Sequence, residues 1–360
     1  MEGIALSKQG NTDEPTSAIE AADRADTQRA GAYSQLPALI RQLGLDPVEM
    51  MGLAGLPADA LDSPEHRVPY GSLGTLLART SERAACPHVG LLVGRMWRVA
   101  DLGLVGELVS HAPTFGTALR MWTVHQHLNS SAGMAFLIEQ GVTVEFGYCV
   151  YGKRVEGVEL LHDAVLAGAT ILLREMAGPE FALSQVHLLR RRPADVAPYR
   201  AHFRLVPRFG AERSALCFPA RWMAHPMQGA DAARFAEAKR RIADAGSGSL
   251  MQRVRRAVRR LLLSDDVSGD AVAQMLDLHR RTLNRRLEAQ GTTFQAVLDD
   301  VRAEAARQLL ESSDASLDDV AASLGYAGVS PFMRAFRRWT GTTPGEWRRR
   351  PRPPAVSSGA

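Results

Sequence analysis

The chain has 360 residues, of which 46% are hydrophobic and 23% charged, and its formal net charge is only +4. That composition is ordinary for globular proteins and long enough for two or more domains, while no run of about 18 apolar residues exists, which excludes a spanning helix. The basic residues are lopsided: lysine stands only at Lys8, Lys153 and Lys239, so nearly all of the 43 basic residues are arginine, and anions would meet planar, multi-donor guanidinium groups. Residues 1–30 lack the basic and apolar regions of a secretory signal and read as a disordered lead-in, so cytoplasm is the expectation. Residues 31–245 mix both periodicities. "DLGLVGELVSHAPTFGTALRMWTVHQHL" (101–128) is helical and broken near Pro113, with Thr114 as N-cap of the second piece. "GMAFLIEQGVTVEFGYCVYG" (133–152) is a hairpin around Gly141, and "VEGVELLHDAVLAGATILLREMAG" (155–178) returns to helix. "ALSQVHLLRRRP" and "SALCFPARWM" read as further strands. The expectation is an α+β domain. "GSGS" at 246–249 has linker composition, so a linker is placed at 246–250, an all-α domain at 251–350 and a disordered tail at 351–360.

The all-α part contains an internal repeat. Asp270, Val272, Ala273 and Leu276 match Asp318, Val320, Ala321 and Leu324 at an offset of 48; Leu283, Arg285 and Leu287 match Phe332, Arg334 and Phe336 at 49. Two copies are too few for a solenoid. Each copy reads as a helix, a short turn and a second helix. In the first, Ser268 or Asp270 caps the opening helix and Gly291 stops the second. In the second, Asp318 and Asp319 open the first helix, Gly325 makes the turn, Ser330 caps the second helix ahead of Pro331, and Gly341 ends it.

At about 100° per residue, Phe332, Ala335, Phe336 and Trp339 share one sector of the last helix, and Arg334, Arg337 and Arg338 lie opposite. In the first copy Leu283 and Leu287 form the stripe, and Arg281, Asn284 and Arg285 project from the far face. A membrane-surface helix would need a more sustained apolar face, and a solvated charged face is the plain alternative for one such helix. Two equivalent helices carrying outward Arg and Asn fit readers of the major groove, where Arg pairs with guanine, Asn with adenine, and flanking Arg meets phosphate.

The residues also carry a family resemblance. "SLDDVAASLGYAGVSPFMRAFRRWTGTTPGEWR" resembles the C-terminal signature of the AraC/XylS regulators of bacterial transcription, and "RRTLNRRLEAQGTTFQAVLDDVRAEAARQLL" resembles its upstream half. The resemblance implies two helix-turn-helix units joined by a linker helix on one face of DNA. It puts Arg281, Asn284 and Arg285, and then Ser330, Met333 and Arg334, at base-reading positions, with Arg280, Arg337 and Arg338 on phosphates. "LGLVGELVSHAPTFGTAL" and "VHLLRRRP" resemble the arabinose-binding type of regulatory domain, which implies an effector of unstated identity and self-association.

Other chemistry finds little support. Cys86, Cys149 and Cys217 are far apart, form no C-x-x-C pair, and read as part-buried small hydrophobes. His125 and His127 of "HQH", and Glu159 with His162 of "ELLH", lack the partners that a metal centre needs. No nucleophile-elbow, phosphate-loop or H-E-x-x-H motif occurs. No metal, cofactor or catalytic residue is therefore assigned. The expected protein is a DNA-binding regulator, an activator under effector control. Its expected partners are double-stranded DNA, a small-molecule effector, a second copy of the chain and RNA polymerase, with no membrane. The rival readings make the N-terminal domain a ligand-free dimerisation module or a catalytic unit.

Overall fold

The computed structural model describes residues 26–150, 155–245, 249–262, 267–276, 278–312 and 315–349. Residues 1–25 of the lead-in, 246–248 of the linker and the tail at 351–360 lie outside the described residues. The end of the lead-in differs from the expectation of disorder. Strand β1 (Thr27–Arg29) pairs antiparallel with β2 (Arg67–Pro69). The reason is Arg29, whose buried guanidinium donates to Glu65 and to the Asp101 carbonyl, tying the segment to two loops.

Helices α1 (Leu36–Gln42), α2 (Pro47–Leu53), α3 (Tyr70–Arg83) and α4 (Val89–Gly94) come next, then α5 (Leu104–Ser110) and α6 (Phe115–His125). Thr114 caps α6 by accepting from the Thr117 amide at 3.1 Å, as the sequence predicts. The hairpin β3 (Gly133–Gln140) and β4 (Thr143–Val150) turns at Gly141, whose φ of 58° is a left-handed value that glycine adopts without strain. With β5 (Gln185–Leu188), β6 (Arg208–Phe209) and β7 (Ser214–Pro219) they form one sheet in the order β3-β4-β7-β5-β6, antiparallel except for β5 and β6. Helix α7 (Val158–Ala177) buries Leu161, Leu172 and Leu173 against this sheet and against α4. Gly90 and Gly94 let α4 approach so closely because a Cβ at either would meet the α7 backbone. Helices α8 (Ala197–Phe203) and α9 (Ala232–Asp244) complete the α+β domain, and Ala238 and Ile242 dock α9 onto Leu108 of α5.

The remainder is all helical: α10 (Leu250–Leu261), α11 (Gly269–Met275), α12 (Arg280–Glu288), α13 (Phe294–Ser312), α14 (Leu317–Ser323), α15 (Val329–Thr340) and α16 (Pro344–Arg349). The pairs α11–α12 and α14–α15 are two helix-turn-helix units, and α13 joins them. Each has its own core, one around Val258, Leu283, Leu287 and Val301 and the other around Leu310, Val320, Phe332 and Phe336. No helix among the described residues is long and apolar enough to cross a membrane.

Candidate nucleic-acid interface

Local chemistry sets where each unit begins. Ser268 caps α11 by accepting from the Ala271 amide at 3.1 Å, and His279 accepts from the Arg281 amide to start α12. Ser316 and Asp319 form a reciprocal capping box at α14, with Ser316 Oγ accepting from the Asp319 amide at 3.1 Å. The last helix differs in detail from the sequence expectation. It begins at Val329 after Gly328, so Ser330 and Pro331 lie within its first turn, and Ser330 is exposed rather than capping. A first-turn proline costs no hydrogen bond, because its missing N–H has no helical partner there. Gly341 closes the helix at φ 73°.

The division into faces follows burial. Phe332 and Phe336 are fully buried, and Phe336 packs edge-on against Trp347 of α16 at 5.8 Å between centroids. Arg334, Arg337 and Arg338 are exposed on the opposite side, as are Ser330 and Met333. In α12, Leu283 and Leu287 are buried, Arg281 and Arg285 are exposed, and Asn284 is half-buried. Each unit therefore presents a guanidinium-rich helix on a closed apolar base.

Two arginines are held more tightly than the sequence suggests. Arg280 folds back so that its Cζ lies 4.8 Å from the Phe294 ring centroid, with its guanidinium against Gly269. In this geometry it fastens α12 to the start of α13. Arg338 donates to Asp299 of α13 at 2.8 Å, so a phosphate would have to compete with that carboxylate. Sequence reasoning did not find Asp299, nor Arg302, which lies 4.8 Å over the Tyr326 ring and so braces the turn of the second unit from α13. Nor did it find Glu304, which pairs with both Arg255 and Arg259 of α10. These partners are 23 or more positions away from the groups they hold, beyond any helical periodicity.

Outside the helices, β4 and β7 bring Glu145 opposite Cys217, and with His187 their ligand atoms lie within 4.8 Å of one another. The Glu145 carboxylate, however, already accepts from Arg213 at 2.8 Å, and burial, then Glu145, pushes the Cys217 thiol up to about 11. The rings of His125 and His127 are 6.2 Å apart; burial, then Arg256, pushes His127 down to about 4, a setting that disfavours cations.

Comparison with known proteins agrees with this geometry. Residues 44–227 match the arabinose-binding domain of AraC transcription regulators, N-terminal, about half of the chain, and residues 272–350 match a helix-turn-helix domain. The chain belongs to the AraC family of transcription regulators. The regulator VirS of Mycobacterium tuberculosis is 28% identical over 321 residues, covering 86% of this chain and 93% of VirS. The transcriptional activator RhaS of Escherichia coli is 42% identical over 76 residues, 21% of this chain and 27% of RhaS. The crystal structure of the regulator CdpR from Pseudomonas aeruginosa aligns at 25% identity over 86% of this chain and 96% of CdpR, with a TM-score of 0.41. The AraC-family chain is a DNA-binding transcription regulator with an arabinose-binding-type N-terminal domain.

Proposed function

We propose that this regulator is an activator that reads two successive major-groove segments and is controlled by a small molecule bound through its N-terminal domain. The observation that carries the reading is the pair of helices, α12 and α15, each with buried apolar residues on one side and exposed arginines on the other. Arg281, Asn284 and Arg285 read bases in the first unit, and Ser330, Met333 and Arg334 in the second. Arg337 and Arg338 meet phosphate, and Arg280 does so only if it leaves Phe294. Activation is supported by the activator RhaS among the relatives and implies contact with RNA polymerase. The N-terminal domain also supplies self-association, and the protein works in the cytoplasm on the nucleoid.

The test is a hydroxyl-radical footprint on the chain's own promoter DNA. Two protected segments about 10 bp apart on one face are expected. Protection of a single segment would sink the double reading.

A further inference from the structure

A cavity of about 120 Å³ lies where the N-terminal sheet meets the second helix-turn-helix unit. One wall is Phe136, Tyr148 and Val150 of β3 and β4 with His162 of α7; the other is Leu309 of α13 and Leu324, which ends α14. The lining is mostly apolar, with one exception at depth. His162 is 3% exposed, and neither ring nitrogen has a hydrogen-bond partner. Its close ring neighbour among the described residues is Tyr148, edge-on at 5.5 Å, whose hydroxyl is engaged by Tyr70 at 3.0 Å. Leaving both nitrogens of a buried imidazole unbonded is costly. A ligand group that bonded them would recover that cost.

We propose that this cavity is the effector site and that it takes an uncharged amphipath, a small apolar body carrying one hydroxyl or carbonyl that hydrogen-bonds His162. The inference rests on the reading that the N-terminal domain answers to a small molecule, and it adds a location and a chemical class. The uncharged class follows from the depth of the cavity, because the carboxylates of the lining lie at its edge, with Glu212 exposed and Asp319 engaged by Ser316. Burial holds His162 neutral, with its pKa down to about 4, so it offers one donor and one acceptor and no positive charge. The cation in the lining, Arg213, is already engaged by Glu145 at 2.8 Å. Among the described lining residues a buried carboxylate would find no free counter-charge. Because one wall belongs to α13 and α14, an occupant touches sensor and reading head at once, and differential contact of that kind is what couples binding to a change of state.

The experiment uses the full chain and two probes, 4-propylphenol as the uncharged amphipath and 4-phenylbutyrate as its charged counterpart, followed by calorimetry. We expect 4-propylphenol to bind and 4-phenylbutyrate to bind at least roughly tenfold more weakly. His162→Phe should weaken 4-propylphenol about tenfold, the size of one lost hydrogen bond. Ser323→Trp, at an exposed position on the rim, should block entry without touching the core, and it keeps the test alive if His162→Phe folds poorly. Absence of 4-propylphenol binding at millimolar concentration overturns the site, as does binding that neither substitution alters. Tighter binding of 4-phenylbutyrate overturns the uncharged class. Gel shifts separate the two layers. An effector from screening that moves DNA occupancy yet ignores both substitutions overturns the cavity and leaves effector control standing. Probe binding at the cavity with DNA occupancy unmoved keeps the site and overturns effector control through it.

Discussion

Among the described residues, the first helix-turn-helix unit closes its core with residues of the DNA-binding domain, including Val254, Leu283, Leu287 and Phe294. The second packs Phe332 and Phe336 into a cluster that also takes in Met134 and Cys149 from the N-terminal sheet. Helix α10, which packs on the first unit, reaches the N-terminal domain through Arg259, whose Nη1 donates to the Ser131 carbonyl at 3.1 Å. Apolar packing has a shape and a volume that an occupant can alter. If the N-terminal domain acts on the reading head, the shared apolar cluster of the second unit is the route that the proposal uses.

The largest expected effect tests that asymmetry. Phe336→Ala removes a fully buried ring and should destabilise the protein by about 3–5 kcal/mol in urea denaturation; Leu287→Ala, equally buried in the first unit, should cost about 2–5 kcal/mol. Stability alone does not separate the units, but half-buried Cys149 does. Phe336→Ala should speed its alkylation by iodoacetamide under native conditions, because local opening of the second core uncovers it. Leu287→Ala should leave that rate unchanged. Equal acceleration by both substitutions would break the comparison.

Next in size are the reading groups. Arg334→Ala should weaken specific binding by about 1–3 kcal/mol and relax base choice in one half-site, and Asn284→Ala should do the same in the other. Competition binding with half-site variants reads this directly. If both substitutions relax the same half-site, the assignment of one unit per segment is wrong.

How much of this was legible in the sequence differs between the domains. In the DNA-binding domain, capping and burial are local, so the repeat, the faces of α15 and the turn at Gly325 could be read from spacing; only the first residue of α15 differed, because Gly328 rather than Ser330 precedes it. The groups that hold the arginines, Asp299 and Phe294, were invisible, since Arg338 and Asp299 meet only after the chain folds back across 39 positions. In the N-terminal domain α6, β3, β4 and α7 were legible from their periods. The role of His162 was not. In "ELLH" it looked like half a metal site, and its isolation is a product of the sheet, α7 and the second unit closing around it.

Acid should act mainly on the N-terminal domain. Burial holds His127, His162 and His202 down to about 4 from an ordinary 6.5. Between those values the unfolded chain binds more protons than the folded one, so stability rises with pH across the window and is lost as pH falls toward 4. Asp163 opposes this. Burial raises it to about 6 from 3.8 despite Arg190, so its contribution declines as pH rises through that range. His88, His125 and His187 are also held down by burial and Asp26 is raised by it, so six histidines stand against two carboxyls, which gives net loss of stability on acidification from pH 6.5 to 4. His162→Phe should flatten the slope by about one proton, roughly 1.4 kcal/mol per pH unit within the window. Urea midpoints at a series of pH values measure it, and an unchanged slope would mean that His162 is not held neutral.

The smallest expected effect separates two neighbouring arginines. Arg337 has no carboxylate partner among the described ion pairs, while Arg338 is held by Asp299 at 2.8 Å. An exposed pair of this kind is worth about 0–1 kcal/mol, so Arg338 loses part of what it gains on meeting phosphate. Arg337→Ala should lower the salt slope of DNA binding by close to one counterion, and Arg338→Ala by less. Asp299→Ala should then strengthen binding to matched and scrambled DNA alike by a few tenths of a kcal/mol, because it releases Arg338 to the backbone. That gain belongs to the second unit alone. In the first unit Arg280 is held by an aromatic face instead of a charge, and Phe294→Leu should release it with no matching change in salt slope if its place is structural.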